Sequence, residues 1–411
     1  MGKTKDLIPI FYARGYNPPY NEGKIAILRG IIKALSLKNI RSVVFNYKYK
    51  LNFQDTKSSI FKNDHVYEVK FEQSIPLISR ETLFHKSGNL LNAYTSLMEI
   101  LAIPKFLSVE KYIYKRGFCI VNMINCFSYP RIFAKFFFSS PVILHIYSRK
   151  IIANKTFKTL LNKVDKVIAS SNSLAYFLEK KYNIDKMKIE IVYPPIDTEL
   201  YKPVDKYESR KRLGMKIDSK ILLYCGNIRS SRFPDYSMLF LLKKLVKKNP
   251  KIEFWIFAPE NYENLKRKED ILSKASNINL GSNIKVTIKN LSDEEKVALY
   301  SASDLFILPF EPKEAVEPPL TVLEAMSCGL PIIANDITPI KNIAEEVDDW
   351  ILPLNSMKKS CLKEQILSLL TDEEELIEPA KKIREFIVDN MSIDKAGHKL
   401  CEVFSTFSHK Y

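Results

Sequence analysis

Glu317-Pro-Pro-Leu-Thr-Val-Leu-Glu324-Ala-Met-Ser-Cys-Gly329-Leu-Pro-Ile-Ile-Ala-Asn335 is the stretch that decides how this chain folds. A proline-rich loop feeds a short helix, a glycine stops it, and residues 331–335 follow as a buried strand. Upstream, Leu305-Phe-Ile-Leu-Pro-Phe310 is another apolar run of strand length. Pro318 and Pro319 lack an N–H and suit a helix start. The amides of Leu320, Thr321 and Val322 are therefore expected to point free donors outward, where the helix dipole favours phosphate. Glu324 sits a turn further in, flanked by Leu323, Ala325 and Met326. A carboxylate there is costly to bury without hydroxyl or N–H partners, and a ribose diol would supply them.

Working outward, strands alternate with helices. Residues 6–12 read as a strand, 24–37 as a helix with Ile25, Leu28, Ile31, Ile32 and Leu35 on one face, and 41–47 as a strand. That β–loop–α–β order is the start of a Rossmann-like half. The intervening loop, 17–23, lacks G-x-G-x-x-G, so dinucleotide binding is not expected there. Further strands are expected at 118–123, 141–146, 164–172 and 189–197, with helices at 93–103, 151–161 and 173–182. Residues 197–218 gather prolines and charges without apolar periodicity and read as the domain boundary. Beyond it, strands are expected at 220–226, 252–258, 284–288, 304–310 and 331–335. Helices are expected at 236–247 and 293–301, and 364–407 is mostly helical. Such alternation implies parallel sheets covered on both faces.

The chain has 411 residues, enough for two cores, with 46% hydrophobic and 27% charged residues. Its six cysteines form no C-x-x-C pair and meet no histidine cluster, which fits a reduced, cytoplasmic protein without structural zinc. No secretory signal is evident, and the apolar run 136–147 is too short to span a bilayer. The net charge of +16 is one-sided: residues 1–200 hold 31 Lys and Arg against 15 Asp and Glu, while the remainder balances. Within residues 101–150, eight basic side chains face one acid, Glu110, and are interleaved with Phe and Tyr. Such a surface suits a polyanion or an anionic membrane face, or it is a lysine-rich solvated surface.

With these elements in place, the 317–335 segment resembles the donor-site signature of retaining GT-B glycosyltransferases of the group 1 (family 4) type. Their signature is two glutamates separated by seven residues, followed by Ala-Met and a glycine. Glu324 fills the second, ribose-binding position. Read without a gap, Val316 stands at the first, sugar-contacting position; a one-residue gap places Glu317 there, and Glu314 lies two positions before the slot. The resemblance implies an α/β GT-B fold of two Rossmann-like domains with an interdomain cleft. Residues 1–199 would be the acceptor domain and 200–387 the nucleotide-sugar donor domain, with the helix of 388–411 packing back on the first. Residues 164–197 also resemble the end of that family's N-terminal domain, including a proline-containing turn that ends in Ile196-Asp197.

Gly226-Asn-Ile-Arg229-Ser-Ser-Arg232-Phe resembles the family's strand-end loop, Gly-Arg-Leu-x-x-x-Lys-Gly, whose basic residues neutralise the leaving diphosphate. Arg232 matches the second basic position, Asn227 replaces the first, and Arg229 is an additional candidate. Guanidinium forks and helix-end amides there stabilise charge that develops as the nucleoside diphosphate departs. Lys289–Leu291 would also border the nucleotide. His145 matches the family's histidine beside the transferred sugar, or it is a satisfied histidine at the end of an apolar strand. Gly23 is the remaining glycine of the first loop, which in the family faces the acceptor and the donor phosphates. No Asp-x-Asp or His/Asp/Cys ligand set occurs, so a metal-independent reaction is expected, with no cofactor beyond the nucleotide-diphosphate sugar.

The implied activity is transfer of a sugar from that donor, with retention, to an acceptor held by the basic half. The acceptor is lipid-linked at the cytoplasmic membrane face, or a soluble sugar or sugar phosphate. A nucleic-acid-binding protein is the reading from another class. It leaves the 226–232 and 317–329 motifs without use, and no nucleic-acid motif supports it.

Overall fold

The structure, a computed structural model, describes residues 7–14, 23–50, 66–74, 103–115, 117–124, 138–148, 155–230, 232–309, 318–335, 340, 343, 351–353, 359–371, 374 and 377–408. The chain divides into two compact units: Met1–Pro195 with Ile393–Tyr411, and Ile196–Ser392.

The first unit runs β1 (Leu7–Arg14), α1 (Gly23–Leu37), β2 (Ser42–Lys50), β3 (Val66–Ser74), α2 (103–114), β4 (Phe118–Ile124), β5 (Val142–Ile146), α3 (Lys155–Lys163), β6 (Lys166–Ala169), α4 (Asn172–Tyr182) and β7 (Ile189–Ile191). Its described strands form one sheet in the order β3-β2-β1-β4-β5-β6-β7. All six pairings are parallel. The chain winds one way from β1 to β3, then restarts beside β1 at β4, which is the doubly wound arrangement. Burial on both faces explains why Val142-Ile-Leu-His-Ile146 has no polar side to show solvent: all five residues are buried.

Two elements of the first unit were not among the sequence expectations. β3 pairs only with β2, at the sheet edge, and its VYEVKFEQS mixes charges into the run as edge strands do. The expected helix at 93–103 lies almost wholly outside the described residues; the described helix is α2. Phe106 docks it, with ring centroids 4.7 Å from Tyr12, 5.1 Å from Phe45 and 5.3 Å from Phe138. Beside it the buried Glu110 accepts from the Ser140 amide at 2.9 Å and its hydroxyl at 2.5 Å.

The second unit continues with α5 (Lys206–Leu213), β8 (Lys220–Cys225), α6 (Asp235–Val246), β9 (Ile252–Ala258), α7 (Tyr262–Asn277), β10 (Ile284–Ile288), α8 (Asp293–Ala302), β11 (Leu305–Leu308), α9 (Leu320–Ser327), β12 (Ile332–Ala334), β13 (Ile351–Pro353), α10 (Lys359–Thr371) and α11 (Ile377–Met391). Its parallel sheet has the order β10-β9-β8-β11-β12-β13, the same winding as the first. α12 (Ile393–Ser408) belongs to the first unit, where it packs on α1. Gly397 makes that approach close, since a Cβ there would stand 2.7 Å from the Ala34 carbonyl oxygen.

Helix α5 lies inside the segment read from sequence as the domain boundary. It has no apolar stripe. The Asp205 side chain caps it by accepting from the Glu208 amide at 2.8 Å, and Gly214 ends it at φ 65°. Arg210, buried, then donates to Asp304 Oδ2 at 2.8 Å and to the Ala302 carbonyl at 2.9 Å.

Candidate functional site

In the second unit the winding reverses between β8 and β11, which lie side by side. In open parallel sheets ligands bind beyond the carboxyl ends of the strands at such a point. The loop that leaves β8 there is Gly226–Phe233. The Gly226 amide donates to the Phe257 carbonyl at 2.9 Å, and the Asn227 side chain accepts from the Arg229 amide at 3.0 Å. Asn227 thus works as a turn former where the resembling loop has a basic residue. The amides of Arg232 and Phe233 both donate to the Arg229 carbonyl, at 2.9 and 2.7 Å. Phe233 anchors the turn in the core, 5.0 Å from Tyr224 and 5.8 Å from Phe254 between ring centroids. Both arginines are half-buried, and the Tyr224 hydroxyl donates to the Asn227 carbonyl of the same turn at 2.7 Å. Burial pushes that phenol far up, and the guanidiniums of Arg232 and Arg229 act against it.

Beyond β11, helix α9 starts after Pro319, which has φ −64° and ψ 127° and caps with no side-chain bond. The Val322 amide donates to the Pro319 carbonyl at 3.1 Å, so it is not one of the outward donors expected from the sequence. The tight first turn consumes it. The amides of Leu320 and Thr321 bond no described residue. Glu317, like Val316 and Glu314, lies outside the described residues. Lys289, just past β10, is tied by its amide to Ala258 at 2.9 Å and by its ammonium to Glu295 at 2.5 Å.

Glu324, one turn into α9, is only 8% exposed at its side chain, and its carboxylate is held from α8. Lys296 Nζ donates to Oε1 at 3.2 Å and the Tyr300 hydroxyl to Oε2 at 2.9 Å. Lys296 also donates to the Tyr201 hydroxyl at 3.2 Å and lies 3.6 Å from Asp293, and Tyr201 in turn donates to Asp293 Oδ1 at 2.8 Å. Burial works to lower the Lys296 pKa, but the carboxylates of Glu324 and Asp293 outweigh it and the net shift is upward. Burial, then Glu324, drives the Tyr300 phenol far up. Lys296 and Tyr300 therefore both keep their protons as donors to the site. Sequence reading missed Lys296 and Tyr300. Their i, i+4 spacing puts them on one helix face, but nothing local points to a partner in another helix.

In the first unit, Gly23 opens α1 after the β1 loop. His145 is fully buried in β5. Its Nε2 pairs with Asn122 Oδ1 at 2.9 Å and its Nδ1 with the Tyr147 hydroxyl at 3.3 Å. Burial lowers its pKa to about 3, so the ring is neutral. With both nitrogens engaged, His145 is a buried, hydrogen-bonded residue of the sheet in this structure. Among the described residues no group of three His, Cys, Asp or Glu side chains could hold a metal ion.

Residues 205–386 match the model of the glycosyl transferases group 1, and residues 136–200 match that of Glycosyltransferase Family 4. A D-inositol 3-phosphate glycosyltransferase of Mycolicibacterium smegmatis is 23% identical over 175 residues, 43% of this chain and 38% of the relative. The one from Segniliparus rotundus is 24% identical over 220 residues, 53% of this chain and 47% of the relative. The chain thus spans less than half the length of these relatives. Among solved structures, sucrose-phosphate synthase from Thermosynechococcus elongatus is 17% identical with a TM-score of 0.72, covering 99% of this chain and 100% of that one. HepE of Anabaena in complex with UDP is 15% identical with a TM-score of 0.70, covering 98% and 100%. These likenesses show the GT-B fold. The two family models, over residues 136–200 and 205–386, assign the chain to the group 1 glycosyltransferases.

Proposed function

We propose that the protein transfers a sugar, with retention of anomeric configuration, from a nucleoside-diphosphate sugar to a sugar or sugar-phosphate acceptor. The observation that carries this reading is Glu324: a carboxylate, 8% exposed, kept in α9 just behind the Leu320 and Thr321 amides. In this reading Glu324 accepts from the donor ribose, while those amides and Arg232 take up charge as the diphosphate leaves. Arg229 assists from the same turn, Glu317 contacts the sugar, and Gly226 lets the loop leave β8 beside the phosphates. No metal is called on. The sugar-phosphate acceptor draws support from the relatives' names and from the basic first half.

A second reading, in which the acceptor is lipid-linked and the enzyme docks on the cytoplasmic membrane face, is favoured by α2. Lys105, Lys111 and Lys115 are exposed there on the face opposite Phe106. No helix of the described residues is long and apolar enough to cross a membrane.

A thermal-shift panel of nucleotide sugars identifies the donor, because a ligand bound to the native state stabilises it by mass action. Glu324→Ala should then weaken nucleoside-diphosphate binding by about 1–3 kcal/mol, and Glu324→Gln by less. Unchanged affinity in Glu324→Ala would remove the donor-site assignment.

A further inference from the structure

We infer that Lys296 and Tyr300 are positioning residues that hold the Glu324 carboxylate as a fixed, acceptor-only group and thereby set discrimination between a ribose and a 2′-deoxyribose donor. The inference rests on the ribose-binding role proposed for Glu324.

A carboxylate oxygen accepts in two directions. Lys296 takes one direction of Oε1 and Tyr300 one of Oε2, at 3.2 and 2.9 Å. One acceptor direction per oxygen is left, which matches the two donors of a vicinal diol.

Lys296 is itself fixed. Its side chain, 23% exposed, also meets the Tyr201 hydroxyl at 3.2 Å and Asp293 at 3.6 Å. Tyr201 is anchored through its own backbone, its carbonyl accepting from the Ser327 hydroxyl at 2.5 Å and from Arg384 at 3.1 Å. Ser327 ends α9, the helix that carries Glu324. The cluster therefore ties α8 to both ends of the glutamate's helical turn and leaves the carboxylate little freedom to rotate.

The experiment measures, by titration calorimetry, the affinity of UDP, GDP and ADP and then of the 2′-deoxy counterpart of the tightest binder. Wild-type protein, Lys296→Met, Lys296→Arg and Tyr300→Phe are compared. A charge-assisted hydrogen bond corresponds to about 10- to 100-fold in affinity, so the wild type should prefer the ribonucleotide by that factor. Lys296→Met should bring the ratio to within about threefold of unity while leaving deoxynucleotide affinity nearly unchanged. Tyr300→Phe should lower it partly, and Lys296→Arg should restore most of it. A wild type that binds both nucleotides equally, or binds none, overturns the ribose reading of Glu324 and this inference with it. A discriminating wild type whose ratio survives in Lys296→Met overturns this inference alone. So does an equal loss of both affinities, which marks a structural role. If Lys296→Met fails to fold by circular dichroism, Tyr300→Phe decides: an unchanged ratio there overturns the inference.

Discussion

At the residue scale, burial determines what the polar groups of the two sheets do. His145 has a pKa lowered by burial from 6.5 to about 3. The unfolded chain protonates this ring below pH 6.5, whereas the folded chain resists until about pH 3. Its contribution to stability is therefore complete above 6.5 and is lost as the pH falls, by about 2 kcal/mol between pH 7 and pH 5. Urea midpoints at both pH values should show that loss. His145→Gln, which keeps polar atoms but does not titrate, should show a shallower dependence; identical slopes would move the effect to other groups. The loop after β8 carries a different expectation. If Arg232 takes up the charge of the leaving diphosphate, Arg232→Ala lowers turnover more than Arg229→Ala and weakens nucleoside-diphosphate binding more than nucleoside binding. Steady-state kinetics with the donor found by thermal shift measures both, and negligible effects of both changes would place the turn outside the site.

Elements were legible in the sequence wherever an apolar period fixed them. α1, β4, β8, β9 and β10 lie within a few residues of their expected places because each buries a regular set of side chains. α5 was not legible, because caps and the Arg210–Asp304 pair hold it instead of a stripe. The same limit hid the support of Glu324: Lys296 lies 28 residues earlier, and only the packing of α8 against α9 brings the two together. Gly397 carries a prediction about how α12 is seated. A methyl group there meets the Ala34 backbone carbonyl at 2.7 Å, and backbone cannot swing aside as a flexible side-chain tip can. Gly397→Ala should therefore part α12 from α1 and cost about 1–3 kcal/mol, despite alanine's better helix propensity. A thermal midpoint equal to or above that of the wild type would show that the helices yield without strain. Nearby, Lys38 and Asp394 pair at 2.6 Å between the same helices, but on a solvent-exposed face where such a pair adds little.

For the whole molecule, the excess positive charge lies in the first 200 residues, and α2 gives part of it a defined geometry. Lys105, Ser108, Lys111, Tyr112 and Lys115 recur at three- and four-residue steps and are exposed, while Phe106, Glu110 and Ile113 are buried on the other side. Three lysines with a tyrosine 57% exposed among them form the kind of face that settles on an anionic lipid surface. Arg116 and Lys135, basic residues of the same region, lie outside the described residues, so a test built on α2 uses Lys105, Lys111 and Lys115. Each lysine close to such a surface contributes about 1 kcal/mol at low salt, so losing the three should weaken partition to phosphatidylglycerol-rich vesicles by about 100-fold. Vesicle sedimentation with the triple Lys→Gln variant measures this, and thermal shift with the donor nucleotide checks the second unit, which the changes do not touch. Binding of the wild type should also fall steeply as salt is raised, since exposed charges are screened. A wild type that ignores these vesicles at low salt removes the membrane-docked reading and leaves the soluble sugar-phosphate acceptor, with the basic face then serving to draw a small anion toward the enzyme.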